Sequence, residues 1–453
     1  MKLNSIIWQS DKGLRLVFAG TAVALAVSAY MLQGIVDPRV CAFLGVIAFI
    51  TVAVACSTDI RSINWRIVWY GLGLQFLLAF FILKFEVGGI RPGYAVFDAI
   101  AAVVKRFIGF TDAGSRFVFG ELANPEVLSA LFPGGFVFAF RALPIIIFIS
   151  SFFTVLYYFG VLQFFVRVTA RAVVRLLNTS GAETLSAIAN VFMGQTEAPI
   201  IVRPYVPHMT QSELLTLMVG GMATISGAVM AIYISLGADA VAILTTSVMA
   251  APCGLYLSKI LMPETEIPKT RGTVTLDVAN KHVNVIDAAA GGAADGTKLA
   301  INVAAMLIAF MAFITMFDYV LALIHPALSL SSIFSLVFTP AAVLMGVESA
   351  DVPAIADLLG TKIVATEFVA YVTLTTEYQN IISDRSVALA TYALTGFANF
   401  GSVGILLGGL GGMAPERRGD LARLGTRALC GGFLATLINA STVSYTHLRA
   451  HET

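Results

Sequence analysis

Gly221-Met222-Ala223-Thr224-Ile225-Ser226-Gly227 and Gly396-Phe397-Ala398-Asn399-Phe400-Gly401-Ser402 are two spellings of one pattern, G-x-A-[TN]-x-[SG]-[SG], each set inside an apolar run. Each follows a Thr-Glu pair, Thr196-Glu197 and Thr366-Glu367, in an apolar segment that also carries prolines and charges. Small and polar residues at mid-span weaken a helix, since Gly costs roughly 1 kcal/mol relative to Ala. An interrupted helix frees carbonyls and amides, which a bilayer tolerates only where they line a cavity. Paired broken helices in two matching halves point to a transporter's midplane site. Small residues also pack transmembrane helices closely. A mid-helix charge, however, costs roughly 2.5–3.5 kcal/mol on insertion scales, so two carboxylates at matching places are hard to assign to packing. Glu197 has Arg203 nearby, which leaves a structural ion pair open. Lys362 precedes Glu367 by five residues, a poor helical spacing for a pair.

The rest of the chain agrees with a membrane solvent. Of 453 residues 58% are hydrophobic and 12% charged, about half the charged fraction of a soluble globular chain. A net charge of +1 gives no reason to expect a nucleic-acid partner. Cys41, Cys56, Cys253 and Cys430 lie in or beside apolar spans without metal-ligand spacing, so buried thiols are expected. The first apolar run, 16–35, is too long for an ordinary signal-peptide core.

Charge-free runs predict crossings at 16–35, 40–58, 67–83, 142–166, 214–238, 241–258, 299–317, 386–408 and 428–446, each close to the ~20 residues a bilayer requires. The expected fold is therefore an all-α membrane protein of about nine transmembrane helices. Segments 184–206 and 336–374 interrupt the series as two re-entrant hairpins. Basic residues orient it: Lys2, Lys12 and Arg15, then Arg61 and Arg66, then Arg167, Arg171 and Arg175, then Arg417, Arg418, Arg423 and Arg427. All fall on one side only if both hairpins enter and leave on the same face, which puts the N-terminus in the cytoplasm. The hairpins then enter from opposite sides and the halves are inverted copies. Arg167, Arg171 and Arg175 share one helical face, like an interfacial amphipathic helix. The mixed stretch 84–141 reads as surface helices around 117–121 and 132–140, and the polar stretch 259–298 as a cytoplasmic connector.

Several segments resemble the concentrative nucleoside transporters. They are Asn190-Val-Phe-Met-Gly-Gln-Thr-Glu-Ala-Pro199, Val202-Arg-Pro-Tyr205, Thr366-Glu-Phe-Val-Ala-Tyr371, 396–404, and also 69–83, 111–121, 263–268 and 406–418 (LLGGLGGMAPERR). The likeness runs from about Val40 to Asn439. It implies a homotrimer in membrane lipid, each protomer having a scaffold and a mobile transport part. The implied division is an added N-terminal helix (1–39), scaffold and interfacial helices (40–180), a first transport half (181–262), the connector (263–298), a scaffold helix (299–330) and a second transport half (331–443). Residues 444–453 are unlike the family and read as a foreign tail. By the resemblance a nucleoside such as uridine or adenosine meets Gln195, Thr196, Glu197 and Val229 with its base, and Glu367, Asn399 and Ser402 with its ribose, Phe397 being close by. The coupling ion, sodium, is ligated by Asn190, Met193, Thr224 and Ile225, with no organic cofactor. The chemistry suits these roles: ribose hydroxyls donate to a carboxylate, Gln offers donor and acceptor to a base edge, and unwound helices supply carbonyls to sodium.

The expected function is thus sodium-driven nucleoside uptake at a bacterial inner membrane, with proton coupling as the alternative. An intramembrane hydrolase would also need buried carboxylates. The sequence has no HExxH or GxSxG motif and no paired aspartates inside spans, so no enzyme is expected.

Overall fold

A computed structural model of the chain describes residues 11–124, 126–128, 137–272 and 282–446. Lys2, residues 132–136, residues 273–281 of the connector and residues 447–453, on which some of these expectations fall, lie outside them. The described residues are helical almost throughout. In chain order come α1 (Lys12–Leu32), α2 (Pro38–Ala55), α3 (Trp65–Leu83), α4 (Pro92–Gly109), α5 (Thr111–Phe119), α6 (Phe138–Tyr158) and α7 (Val161–Leu177). Next are α8 (Gly181–Ala189), α9 (Gln211–Ala223), α10 (Gly227–Ser235), α11 (Ala240–Leu261) and α12 (Val285–Ile324). The chain continues with α13 (Leu330–Leu344), α14 (Val352–Val364), α15 (Glu367–Thr373), α16 (Asp384–Leu394), α17 (Phe400–Met413) and α18 (Arg418–Thr446).

Among the described residues eight segments are long and apolar enough to cross a bilayer: α1, α2, α3, α6, the α9–α10 pair, α11, α12 and the segment ending in α18. The ninth expected crossing, 386–408, is the pair α16–α17, split over residues 395–399. The packing sorts these elements into an inside and an outside. The α9–α10 pair and α11 are buried almost throughout, although apolar on all sides. By contrast α1 and α12 turn Leu16, Val23, Tyr30, Ile308, Phe313 and Leu323 outward. Apolar residues on so exposed a surface need lipid or another protein against them. This is an integral membrane protein.

Neither re-entrant segment can cross. Helix α8 has nine residues, about 13 Å at 1.5 Å per residue, against a hydrocarbon core of ~30 Å. It ends in the irregular tip 190–197 and returns through short 3₁₀ turns, Ala198–Val202 and Val206–His208. In the second hairpin α14 runs to Val364, and Thr366 restarts the chain as α15 by accepting from Val369 N at 3.2 Å.

Four expectations on boundaries and burial need correction. The fourth crossing ends at Tyr158, not 166, because Gly160 (φ +75°) turns the chain into α7. Helix α7 is the expected amphipathic one, burying Leu162, Val166, Ala170 and Val173 and leaving Arg171 and Arg175 exposed. Helix α12 starts at Val285, well before 299, because Asn284 caps it by accepting from Asp287 N at 2.9 Å. Lys259, placed at the head of the connector, belongs to α11 and is buried. Of the thiols Cys41 and Cys253 are buried, but Cys56 and Cys430 are exposed. At the other end α18 continues through Thr446, Ser444 accepting from Arg385 Nη2 at 2.7 Å and Tyr445 packing on Phe43 and Phe76.

Candidate substrate and ion site

The two broken helices cross at their breaks. Helix α9 stops at Ala223, Thr224 and Ile225 run extended or irregular, and Ser226 restarts the chain as α10 by accepting from Val229 N at 3.3 Å. Helix α16 stops at Leu394, and Asn399 restarts it as α17 by accepting from Ser402 N at 2.8 Å. The caps fall at different places of the repeated pattern, Ser226 at its sixth position and Asn399 at its fourth, and each marks the positive end of a half-helix dipole. Phe397 N donates to Thr224 O at 3.1 Å and so ties one break to the other. Gly396 (φ +150°) lies in a region L side chains rarely adopt, and a Cβ there would stand 2.6 Å from Thr436 Cγ2.

Each hairpin tip reaches this crossing. In the first, Gln195 packs on Gly221, where a Cβ would come within 2.8 Å of Gln195 Cβ. Gln195 Nε2 donates to Ser402 Oγ at 3.2 Å, joining the first hairpin to the second break, while its buried Oε1 has no hydrogen-bond partner. The Thr196 methyl lies against Gly409, and Gly227 N donates to Phe192 O at 3.2 Å. Asn190 is fully buried beside Gly220, and neither Oδ1 nor Nδ2 has a protein partner. In the second hairpin Glu367 is buried, with Asn399 Nδ2 donating to Oε2 at 2.7 Å and Tyr233 OH donating to Oε1 at 3.3 Å.

Three family models match the chain: "Na+ dependent nucleoside transporter N-terminus" over residues 44–122, "Nucleoside recognition" over 139–240, and "Na+ dependent nucleoside transporter C-terminus" over 242–444. An uncharacterized transporter of Haemophilus influenzae is 42% identical over 408 residues, covering 88% of this chain and 95% of that one. The chain belongs to the Na+ dependent nucleoside transporter family. Members are transporters, not enzymes. Sodium/nucleoside cotransporter 1 of Mus musculus is 40% identical over 450 residues, 95% of this chain but 66% of its own length. The Homo sapiens protein of the same name is 40% identical over 419 residues, 88% of this chain and 62% of its own. The chain thus spans about two thirds of these mammalian relatives. Among solved structures, CNTnw in an inward-facing substrate-bound state matches with TM-score 0.85 and 38% identity, covering 90% of this chain and 98% of that one.

In this transporter most of the expected site residues come together. Gln195, Phe397, Asn399 and Ser402 meet through the bonds above, with Thr224 and Glu367 completing the ring. Ile225 and Val229 are buried on either side of the Ser226 cap, and Met193, partly buried, closes the turn after α8 through its N–H to Ala189 O at 2.9 Å. Glu197 behaves differently. It folds back on its own hairpin, Oε2 accepting from Gly194 N at 2.9 Å, and no ion pair joins it to Arg203 among the described residues. Lys362 does not reach Glu367 either; its Nζ donates to Ala393 O and Thr436 Oγ1.

Two features escaped the sequence reading. Tyr233 is one turn beyond Val229 on the same helix face, and it stacks on Tyr371 at 4.0 Å while bonding Glu367. An aromatic in an apolar run gives no hint of that. The second is the base of the first hairpin, where capping boxes start both α8 (Ser180 with Glu183) and α9 (Thr210 with Glu213). Buried Lys259 Nζ lies 2.7 Å from Glu183 and 2.8 Å from Ser212 Oγ. Here a signal was legible: S-x-x-E and T-x-x-E ahead of apolar runs.

Proposed function

We propose that this protein imports nucleosides across a bacterial inner membrane by sodium symport, with alternating access. The observation that carries the ion assignment is Asn190, a buried amide without protein partners beside Gly220, whose carbonyl is bonded by Thr224 at the break. Buried polar side chains are hydrogen-bonded in the large majority of cases, so an orphaned amide oxygen asks for a ligand. Sodium takes hard oxygen donors. Asn190 Oδ1 supplies one, and Thr224 Oγ1, which spends its proton on Gly220 O at 2.9 Å, keeps lone pairs for another. Main-chain carbonyls at Met193 and Ile225 complete the set.

The nucleoside then lies between the hairpin tips. Ribose hydroxyls donate to Glu367, whose carboxylate is already held in place by Asn399 and Tyr233. The base edge meets Gln195, whose Oε1 is open to a donor, with Thr196, Glu197 and Val229 around it. Phe397 and Ser402 border the sugar. In this reading the two hairpins and broken helices are the moving transport part, residues 40–180 and 299–330 are the scaffold, and three copies assemble in the lipid with cytoplasmic N-termini.

Because sodium orders the tip that carries Gln195, it lowers the ordering cost left for the nucleoside, and linkage makes the effect reciprocal. One charge crossing 100 mV contributes about 2.3 kcal/mol, which at about 1.4 kcal/mol per decade supports roughly 40- to 50-fold accumulation. The test is uptake of labelled uridine and adenosine into proteoliposomes with an inward sodium gradient and without one. Uptake only with sodium is expected. Uptake that follows a proton gradient and ignores sodium would replace the ion.

A further inference from the structure

The second hairpin contains a cation that the transport reading leaves unused. Lys362, near the end of α14, is fully buried. Its Nζ donates to Ala393 O at 2.7 Å and to Thr436 Oγ1 at 3.0 Å, and sits 5.8 Å from the centre of the Phe433 ring. Thr436 spends its own hydroxyl proton on Phe433 O at 2.9 Å, so toward Lys362 it accepts. A carbonyl, a hydroxyl lone pair and an aromatic face all favour a cation. No carboxylate lies within ion-pairing distance of Nζ among the described residues.

The position of Ala393 gives the contact its meaning. It belongs to the last turn of α16, where carbonyls lack helical partners and carry the negative end of the dipole. The break at 395–399 follows at once. In the same turn Thr391 O accepts from Thr395 N at 3.2 Å and Oγ1 at 2.7 Å, and from Tyr371 OH at 2.9 Å. In the first repeat the matching place, between the arm of the hairpin and the last turn of α9, holds Asn190 and its unpartnered amide. One repeat thus offers oxygen there, and the other supplies positive charge.

We propose that Lys362 is a tethered cation, a positioning residue that does for the second break what the coupling sodium does for the first, holding hairpin, half-helix and α18 in binding register. The comparison with sodium rests on the function proposed above; the role of the ammonium at Ala393 does not. Lys362→Met keeps the stem and removes the charge. Uridine affinity of the purified trimer should fall about tenfold, as expected for losing charge-assisted bonds. Lys362→Ala should show a similar loss, and ethylammonium in millimolar excess should restore binding where ethanol at equal concentration does not. Thr436→Val, which leaves the charge and the bond to Ala393, should lose less.

Wild-type uridine affinity in Lys362→Met would overturn the proposal. So would a Lys362→Ala protein whose loss ethanol repairs as well as ethylammonium, since the side chain would then only fill space. If wild-type binding ignores sodium altogether, the coupling reading fails. Selective rescue by the amine would still establish the role of Lys362 at the break.

Discussion

The two hairpins are built on one repeat but left in opposite chemical states. The tip of the first carries loose ends: both polar atoms of Asn190 and Oε1 of Gln195 are buried without partners. In the second, Thr366 caps α15, Glu367 has Asn399 and Tyr233, and Lys362 has Ala393 and Thr436. A buried polar group without a partner costs about 1–3 kcal/mol, so the first tip is the one whose energy a ligand can lower most. The second is pre-organised, and what binds there meets a carboxylate already aimed. The difference teaches that a duplicated fold can leave one half with unsatisfied polar groups while it pre-organises the other.

The largest expected effect falls on the pre-organised half. Glu367→Gln should lose most uptake while the protein still inserts and assembles. A charge-assisted bond contributes about 1.5–3 kcal/mol, or ten- to hundredfold in affinity. Wild-type uridine binding by the purified variant would contradict the assignment of the ribose to the second hairpin.

Next comes the unsatisfied half. Positive coupling between two ligands is typically ~5- to 150-fold, and uridine affinity should rise by a factor in that range as sodium is added. In the double variant Asn190→Ala with Thr224→Ala this factor should fall toward one, with affinity in the absence of sodium nearly unchanged. If instead the sodium-free affinity collapses, these side chains touch the nucleoside rather than the ion.

How much of this was legible depends on distance along the chain. The crossings, the hairpins and the two breaks come from local composition, since 221–227 and 396–402 spell the interruption themselves. Gly396 is a case where the reason is visible only in the fold: its φ of +150° and the 2.6 Å from a would-be Cβ to Thr436 Cγ2 arise from α18 crossing the break. The bond of Lys362 to Ala393, 31 residues away, and that of Tyr233 to Glu367, 134 away, depend on how helices stack. No spacing rule encodes either. The early start of α12 and the early end of α6 were missed because apolar runs mark where a bilayer is crossed, and not where a helix stops.

A smaller effect separates the breaks themselves. Gly221→Ala adds a methyl 2.8 Å from Gln195 Cβ with no backbone strain, so it should displace the first tip and weaken nucleoside binding several-fold. Gly396→Ala meets both the methyl of Thr436 and an unfavourable φ, worth about 1–3 kcal/mol, and should lower thermal stability first. Thermal unfolding and uridine titration of the two proteins would distinguish them. Equal loss of stability in both would mean that the breaks are only packed junctions.

The smallest predicted change sharpens the comparison most, because it tests how the carboxylate is aimed. Tyr233→Phe removes one hydroxyl and keeps the ring, so the 4.0 Å stack on Tyr371 survives. The hydroxyl lies 3.3 Å from Glu367 Oε1, longer than the 2.7 Å bond from Asn399 to Oε2. Asn399 therefore does most of the positioning, and Tyr233 should contribute about 1 kcal/mol, a roughly fivefold change in affinity. Its action passes through Glu367, so it should couple to the sugar and not to the base. With uridine the loss should be full. With a deoxynucleoside lacking the hydroxyl proposed to bind Glu367 it should shrink, whereas changing uracil for adenine should leave it alone. Residues in one hydrogen-bonded network show such interaction energies, and independent ones add. An equal loss for the ribo- and deoxynucleoside would place Tyr233 outside the sugar site and leave its bond to Glu367 as packing alone.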